Sequence, residues 1–367
     1  MYLNRYKNLL LGSIFFVVTQ ACNQQSTSTS VANKTVDSLI IKPTIITDTV
    51  ENDTDDPAIW LHPTDKSKSL IIGTDKDENG GLYVFDLQGK CIKEKTIKGL
   101  KRPNNVDIEY GLMLNGKATD IAVVTERLTH KLRLFALPTM QPIDNGGIEV
   151  FEGETQTDYR DLMGIALYKN PLGKIFVIVG RKTGPTNGKY LWQYELSDNG
   201  RGGVEAKLVR KFGKFSGQKE IESIAIDDQL GYVYYSDETV GIRKYYADPL
   251  KGNEELALFG QNLFKRDNEG ISIYNTSDST GYILVSNQQA NTFVVFAREG
   301  KQTNTHQHQM ITEIPLSTLE SDGSDVTNVT LNPQFSKGLF VAMSLGKVFH
   351  YYDWNVIQKF IDKKNTK

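Results

Sequence analysis

One pattern of strands recurs six times along this chain and restricts its possible folds more than any other feature. Each copy has a short alternating strand, a strongly apolar strand and an aromatic-rich strand, with turns between them. The first strands read PAIWLHP, VDIEYGL, MGIALYK, ESIAIDD, EGISIYN and VTNVTLN. Weaker fourth strands, such as KLVRKF and LALFG, follow some copies.

The copies begin roughly every 47 to 59 residues, which is near the spacing of four-stranded propeller blades. We therefore predict an all-β, six-bladed β-propeller over residues 41–367. The stretch IITDTVE (45–51) is expected to add a strand to the last blade, and a short helix is expected from Trp354. A β-sandwich or two small barrels would not explain six copies of one strand order.

The N-terminus resembles a bacterial lipoprotein signal. Arg5 and Lys7 precede an apolar run that is too short to span a bilayer as a helix, and the string TQAC ends at Cys22. We predict a signal peptide over 1–21, lipidation of Cys22 and a flexible tether over 22–40. An ordinary secretory signal is the alternative. The domain is expected in the cell envelope, facing the periplasm or the cell surface, or as a secreted protein.

Charge and cysteine content exclude other classes. The chain has 42 Lys and Arg against 44 Asp and Glu, so nothing favours binding to nucleic acid or to an anionic membrane. We expect a monomer whose membrane contact is limited to the lipid anchor. If Cys22 is lipidated, Cys91 is the remaining thiol, and no intrachain disulfide is expected.

The strand ends predict a charged rim around the propeller channel. The first strand of a blade is innermost, and its start lies at the same rim as the end of the antiparallel second strand. Acids stand before five of the first strands: Asp55-Asp56, Asp161, Glu220 with Glu222, Asp267 with Glu269, and Asp322 with Asp325. The second strands of copies one to four end in Lys76, Arg127, Lys182 and Asp237-Glu238. We therefore expect an acidic rim flanked by three cations.

Carboxylates at this density need protons or cations, because two of them about 4 Å apart repel by roughly 4 kcal/mol near a protein surface. Hard oxygen ligands favour calcium, and magnesium less so because it prefers few protein ligands. The five His residues form no zinc pattern, and His306 and His308 are expected to be solvated in a polar loop. Metal ions beside fixed Lys and Arg side chains indicate a phosphate ester substrate.

Other phosphate-handling motifs are missing from the sequence. There is no RHG for a phosphohistidine route, and Ile97 stands where a cysteine phosphatase built on Cys91 would need Arg. The string GPTNGK (184–189) has three residues between its glycines and no Ser or Thr after Lys189, so it is interpreted as a hairpin turn and not as a P-loop.

Six motifs together resemble the β-propeller phytases over about residues 48–354: DDPAIW, TDKxxxGGLYVFDL, NNVDIEY, EIESIAIDDxLGYVYYSDE, DNEGISIY and SDGSDV. The resemblance implies a six-bladed propeller that hydrolyses calcium phytate, with calcium at one end of the channel and no covalent intermediate. It implies calcium binding by Asp55, Asp56, Glu222, Glu238, Asp267, Glu269 and Asp322. It implies phosphate binding by Lys76, Arg127 and Lys182. The predicted catalytic residues are Glu222, Glu238, Arg127 and Lys182.

The sequence departs from that family at four positions. Met163 stands where the family often has Tyr, and Thr183 replaces an acid after the third basic position. Asp75 and Glu109 replace Asn and a frequent Arg. These changes predict weaker binding of a highly anionic substrate, so the substrate is phytate, a less phosphorylated inositol or another phosphoester. A calcium-dependent lactonase or esterase, and a non-catalytic surface propeller with structural calcium, are the alternatives.

Overall fold

The computed structural model describes residues 40–365, which form six antiparallel sheets. Blade 1 comprises β2 (Thr54–Trp60), β3 (Leu70–Asp75), β4 (Gly80–Phe85) and β5 (Ile97–Leu100). Blade 2 comprises β6 (Pro103–Leu114), β7 (Lys117–Glu126), β8 (Lys131–Leu137), β9 (Gln141–Pro142) and β10 (Ile148–Glu149). Blade 3 comprises β11 (Leu162–Lys169), β12 (Ile175–Arg181), β13 (Leu191–Asp198) and β14 (Val204–Phe212). Blade 4 comprises β15 (Ile224–Asp227), β16 (Tyr232–Asp237), β17 (Gly241–Tyr246) and β18 (Ala257–Phe259). Blade 5 comprises β19 (Asn268–Asn275), β20 (Gly281–Asn287), β21 (Thr292–Ala297) and β22 (Met310–Pro315). Blade 6 comprises β23 (Ser324–Thr327), β24 (Leu339–Ser344), β25 (Val348–Asp353) and β1 (Ile45–Ile46).

The blades form a closed ring. The first strand of each blade contacts the first strand of the next, in the order β2, β6, β11, β15, β19, β23 and back to β2. Six hydrophobic cores each lie between two neighbouring blades, because the apolar second and third strands are covered on both faces. The predicted six-bladed β-propeller is confirmed.

Strands from both ends of the described chain pair in the last blade. β1 pairs antiparallel with β25, with Ile45 opposite Tyr351, as predicted for the stretch 45–51, although only two of its residues are strand. A helix, α1 (Trp354–Asn365), follows β25. It packs through Trp354, whose ring lies 3.6 Å from that of Tyr274. The N-terminal segment therefore closes the ring against the C-terminal blade.

Two details of the sequence-based interpretation are wrong. The sixth first strand was predicted at 326–332, but β23 ends at Thr327, and the next residues form a loop in which Asn332 Oδ1 accepts the N–H groups of Gln334 and Phe335. His308 is buried and not solvated, because its Nδ1 lies 2.8 Å from Ala297 O in the interior. Neither error changes the order of the blades.

The predicted signal peptide, the lipidation at Cys22 and the tether up to residue 39 lie outside the described residues and stay predictions. Among residues 40–365, Cys91 is a free thiol. No helix in that part of the chain is long and apolar enough to cross a membrane.

Candidate active site at the channel rim

A β-bulge at the start of the first strand recurs in four blades. In blade 1, Thr54 lies opposite Asp75 but Pro57 lies opposite Gly73, so the first strand carries one extra residue. The first strands of blades 2, 3 and 5 have the same shift at the same place. Bulges bend a strand and redirect side chains, so each of these four blades presents an equivalent side chain at this rim.

We call these equivalent positions the rim ring. One residue comes from each blade: Asp55, Asn104, Met163, Glu222, Glu269 and Asp322. Four positions are carboxylates, one is an amide and one is a thioether. Asn104 Nδ2 donates to Asp55 Oδ2 at 3.1 Å and to Glu222 Oε1 at 3.3 Å, so the amide connects carboxylates of blades 1 and 4.

A second set of side chains lies at the end of the second strand of each blade. Its members are Lys76, Arg127, Lys182, Glu238, Gln288 and Leu345. Lys76 Nζ donates to Asp55 Oδ1 at 2.8 Å and to Asp322 Oδ2 at 3.0 Å. Gln288 Nε2 donates to Asp322 Oδ1 at 2.5 Å and to Glu269 Oε2 at 3.2 Å. Lys76 and Gln288 of the second set therefore bridge members of the rim ring.

A glycine sets the spacing between blades 3 and 4 at the rim. A Cβ on Gly164, the residue after Met163, would lie 2.1 Å from the backbone oxygen of Glu222. No side chain fits at that distance, so only glycine lets the two first strands approach this closely. This contact holds Met163 and Glu222 at adjacent positions of the rim ring.

The rim contains two groups of acids that could hold a metal ion. Glu220, Glu222 and Glu238 form one group, and Glu238, Asp267 and Glu269 form the other, with ligand atoms within 4.8 Å of one another in each. Glu220 Oε2, Glu238 Oε1 and Asp267 Oδ1 are buried without a hydrogen-bond partner. Buried oxygens without partners are costly, and they are the hard ligands that calcium takes in numbers of six to eight. The donor set therefore fits calcium.

Burial and mutual repulsion raise the pKa of several of these carboxyl groups. The pKa of Glu238 is raised to about 8, because burial and the charges of Glu222 and Glu220 together outweigh the lowering by Lys219. Burial is also the main cause of the raised pKa of Asp55, Glu222 and Glu269, and neighbouring acids add to it in each case. Without a bound cation, burial and mutual repulsion therefore disfavour the ionised form of these four carboxyl groups.

The predicted phosphate-binding cations differ in exposure. The Lys182 side chain is 47% exposed, and its Nζ lies 3.6 Å from Glu220 Oε2. Arg127 is buried, its Nε donates to Leu162 O at 3.2 Å, and its Nη2 contacts Met163 Sδ. Arg127, one of the three cations predicted to flank the acidic rim, therefore packs against the first strand of blade 3, and its predicted phosphate binding stays a prediction.

Asp56 follows the rim-ring residue Asp55 along β2. It lines a channel cavity of about 210 Å³ together with Asp107 and Asp325. Each of these three carboxylates accepts an N–H group from the first strand of the next blade: Val106 for Asp56 (3.0 Å), Leu167 for Asp107 (2.7 Å) and Ile59 for Asp325 (2.8 Å). The bulge separates Asp56 from its neighbour Asp55, so the geometry gives Asp56 a structural tie between blades.

Two of the four sequence departures lie away from the rim contacts. Glu109 is six residues along β6 from Pro103, roughly 20 Å from the rim at the usual rise of a strand. The Asp75 carboxylate accepts the N–H groups of Asn52 and Asp53, at 3.2 and 2.7 Å. The predicted weakening of substrate binding by Asp75 and Glu109 therefore has no basis in contacts at the rim. Of the four departures, Met163 is the one within the rim ring.

Three residues of the site were not singled out from the sequence: Asn104, Gln288 and Lys219. Lys219 Nζ lies 2.6 Å from Glu238 Oε2 and 2.8 Å from Asp267 Oδ2. Asn104 could have been found, because the pair Asn104-Asn105 aligns with Asp55-Asp56 in the repeat. Gln288 likewise occupies the repeat position of Lys76. Lys219 has no such signal, because it lies in a loop before β15 that does not repeat.

The fold and the rim define a class of protein: a six-bladed β-propeller with an acidic site flanked by cations. A model of the phytase family matches residues 7–356. The 3-phytase of Bacillus subtilis (strain 168) is 32% identical over 298 residues, which cover 78% of this chain and 73% of that protein. The chain therefore belongs to the phytase family.

Two solved structures are also similar to the chain. One is the Dos1 propeller, with 14% identity and a TM-score of 0.42, covering 80% of this chain and 66% of that one. The other is a luciferin-regenerating enzyme, with 12% identity and a TM-score of 0.49, covering 83% and 92%.

Proposed function

We propose that this protein is a calcium-dependent phosphatase that releases phosphate from phytate or from a less phosphorylated inositol. The observation that carries the proposal is the rim ring, in which four carboxylates meet beside Lys76, Arg127 and Lys182. The 3-phytase of Bacillus subtilis, 32% identical to the chain, supports the substrate class.

The acids and the cations would divide the work of the reaction. Glu222, Glu238, Asp267, Glu269, Asp55 and Asp322 would hold calcium. Bound calcium would supply an activated water and stabilise the charge that develops on phosphate. Lys182 is half exposed and would bind phosphate oxygens, and Arg127 is fixed by Leu162 O so that its guanidinium is oriented before substrate arrives.

Phosphate release from a panel of phosphoesters tests this function directly. We expect calcium-dependent release from phytate or lower inositol phosphates, and none in excess EDTA. Hydrolysis of lactones or carboxylic esters without phosphate release would favour the lactonase alternative. Calcium binding without hydrolysis of any compound would favour the non-catalytic propeller.

Replacing Lys182 by Ala is expected to lower kcat/KM for the best phosphoester by about 10- to 100-fold, because a hydrogen bond to a charged group contributes roughly 1.5–3 kcal/mol. The free energy of unfolding should change by less than about 0.5 kcal/mol, since the side chain is half exposed. Steady-state kinetics and thermal melting measure both. Lys207→Ala, on the exposed face of β14, is the matched control. Parent-like kinetics of Lys182→Ala would remove Lys182 from the phosphate site.

Replacing Met163 by Tyr is expected to raise kcat/KM for phytate by about 10- to 100-fold, because a phenol can donate to a phosphate oxygen and a thioether cannot. Met163 is buried against Arg127, so Met163→Phe controls for the size of the ring without the hydroxyl. Kinetics are compared at equal calcium, with melting curves to verify folding. A folded Met163→Tyr with no gain on any inositol phosphate would contradict the idea of a lost phosphate contact and favour a different substrate.

We also propose that the protein is anchored in the cell envelope through a lipid on Cys22. The proposal rests on the N-terminal sequence. Labelled palmitate should be incorporated into the parent protein and not into Cys22→Ser; equal labelling would contradict it.

A further inference from the structure

Lys219 occupies the position of a cation between two carboxylates of the rim. Its Nζ lies 2.6 Å from Glu238 Oε2 and 2.8 Å from Asp267 Oδ2, and these side chains are 0% and 1% exposed. Both belong to the same group of potential metal ligands. A single ammonium group thus lies between two buried carboxylates that have little access to water and offsets part of their charge.

Lys76 repeats this arrangement on the other side of the rim, where its Nζ bridges Asp55 and Asp322. Calcium binds carboxylate oxygens at 2.3–2.6 Å and needs several of them. An ammonium group and a calcium ion cannot occupy the same position between the same oxygens. Calcium that enters the group formed by Glu238, Asp267 and Glu269 must therefore displace Lys219.

The surroundings of Lys219 allow this displacement. Its side chain is 34% exposed, it lies in the loop before β15, and lysine has a long flexible stem. Asp267 keeps other partners when Lys219 leaves, because Gln289 Nε2 and Arg266 Nη2 lie 2.8 and 3.1 Å from its Oδ2. The Asp267 carboxylate is thus held in place independently of Lys219.

We propose that Lys219 is a built-in counter-cation of the calcium-free protein, that calcium displaces it from Glu238 and Asp267, and that it thereby sets the calcium concentration at which this site fills. The proposal rests on the proposed calcium-dependent function and adds its regulation. Lys219 holds the acidic rim together when calcium is scarce and makes calcium binding weaker than the carboxylates alone would allow.

Calorimetric titration of the calcium-free full chain with calcium tests the proposal. Lys219→Met, which keeps the length of the stem and removes the charge, should bind calcium about tenfold more tightly or better. In excess EDTA it should melt at a lower temperature than the parent, because Glu238 and Asp267 lose their counter-charge. Lys219→Arg should bind calcium like the parent. Lys174→Met is the matched control, because Lys174 pairs with Glu195 at 2.7 Å at the start of β12, away from the rim.

The outcomes separate this inference from the function on which it rests. If the parent binds calcium and Lys219→Met binds it equally or more weakly while still folded by circular dichroism, Lys219 is not a competitor and the inference fails. If neither protein binds calcium, the calcium-dependent function fails. If Lys219→Met is unfolded in EDTA, Lys219→Gln is titrated instead, with the same expected and contradicting results.

Discussion

In excess EDTA, the protein is expected to lose its phosphatase activity and to melt at a lower temperature than in calcium. A ligand that binds only the folded state stabilises it by mass action, by roughly 2.7 kcal/mol per site at a hundredfold excess over the dissociation constant. The contribution of calcium to the stability of the fold should be large here. The buried oxygens of Glu220, Glu238 and Asp267 that lack hydrogen-bond partners would gain bonds to the metal. Thermal melting and phosphate release measure the two effects in the same samples.

Restoring calcium after EDTA should recover both properties, and magnesium at the same concentration should recover less, since magnesium dehydrates reluctantly. Identical melting curves and identical turnover with calcium and with EDTA would contradict a calcium site at the rim.

Replacing Glu222 by Gln is expected to lower kcat by about 100-fold or more. Changes to partners of metal ligands typically cost 10- to 100-fold, and Glu222 is predicted to be a direct ligand. The effect of Glu222→Gln on the melting temperature should have opposite signs in EDTA and in calcium. Burial raises the pKa of Glu222, so its ionised form destabilises the calcium-free fold, and the penalty grows as the pH rises above the unfolded-state pKa. At pH 8 in EDTA, Glu222→Gln should therefore melt above the parent, and in calcium below it.

Glu205→Gln, on the exposed part of β14, is the matched control and should change neither kcat nor melting. A Glu222→Gln variant that keeps parent-like kcat, or that melts below the parent in EDTA as well, would show that the carboxylate has a structural role only.

The fold could be predicted because the sequence of a propeller repeats one strand pattern in every blade. Six copies of the pattern at similar spacing leave few alternative folds. The acidic rim followed from the same repetition, since strand ends that are equivalent in sequence meet in space. Asn104 and Gln288 were missed because they are neutral residues at positions where the repeat elsewhere carries charge. Asp56 was grouped with Asp55 because a sequence cannot reveal a bulge, which turns two adjacent side chains in different directions, and its predicted calcium binding stays a prediction.

The burial of Arg127 and the ion pairs of Lys219 could not be predicted from the sequence, for another reason. Both depend on contacts between elements distant along the chain: Arg127 with Leu162, and Lys219 with Asp267. Periodicity fixes which face a strand residue takes, but it does not determine how far a loop side chain reaches toward the next blade.

The seam between the first and the last blade affects how the protein unfolds in denaturant. The segment before the first blade is held in the last blade by the backbone pairing of Ile45 and Ile46 with β25, and the seam itself is spanned at the rim by Lys76 between Asp55 and Asp322. Short pairings at chain ends open more readily than central strands. Partial fraying would therefore separate Asp55 from Asp322 while the blades keep their sheets. We expect activity to disappear at a lower denaturant concentration than the β-sheet signal, and coincident loss of both would show that ring and blades unfold as one unit.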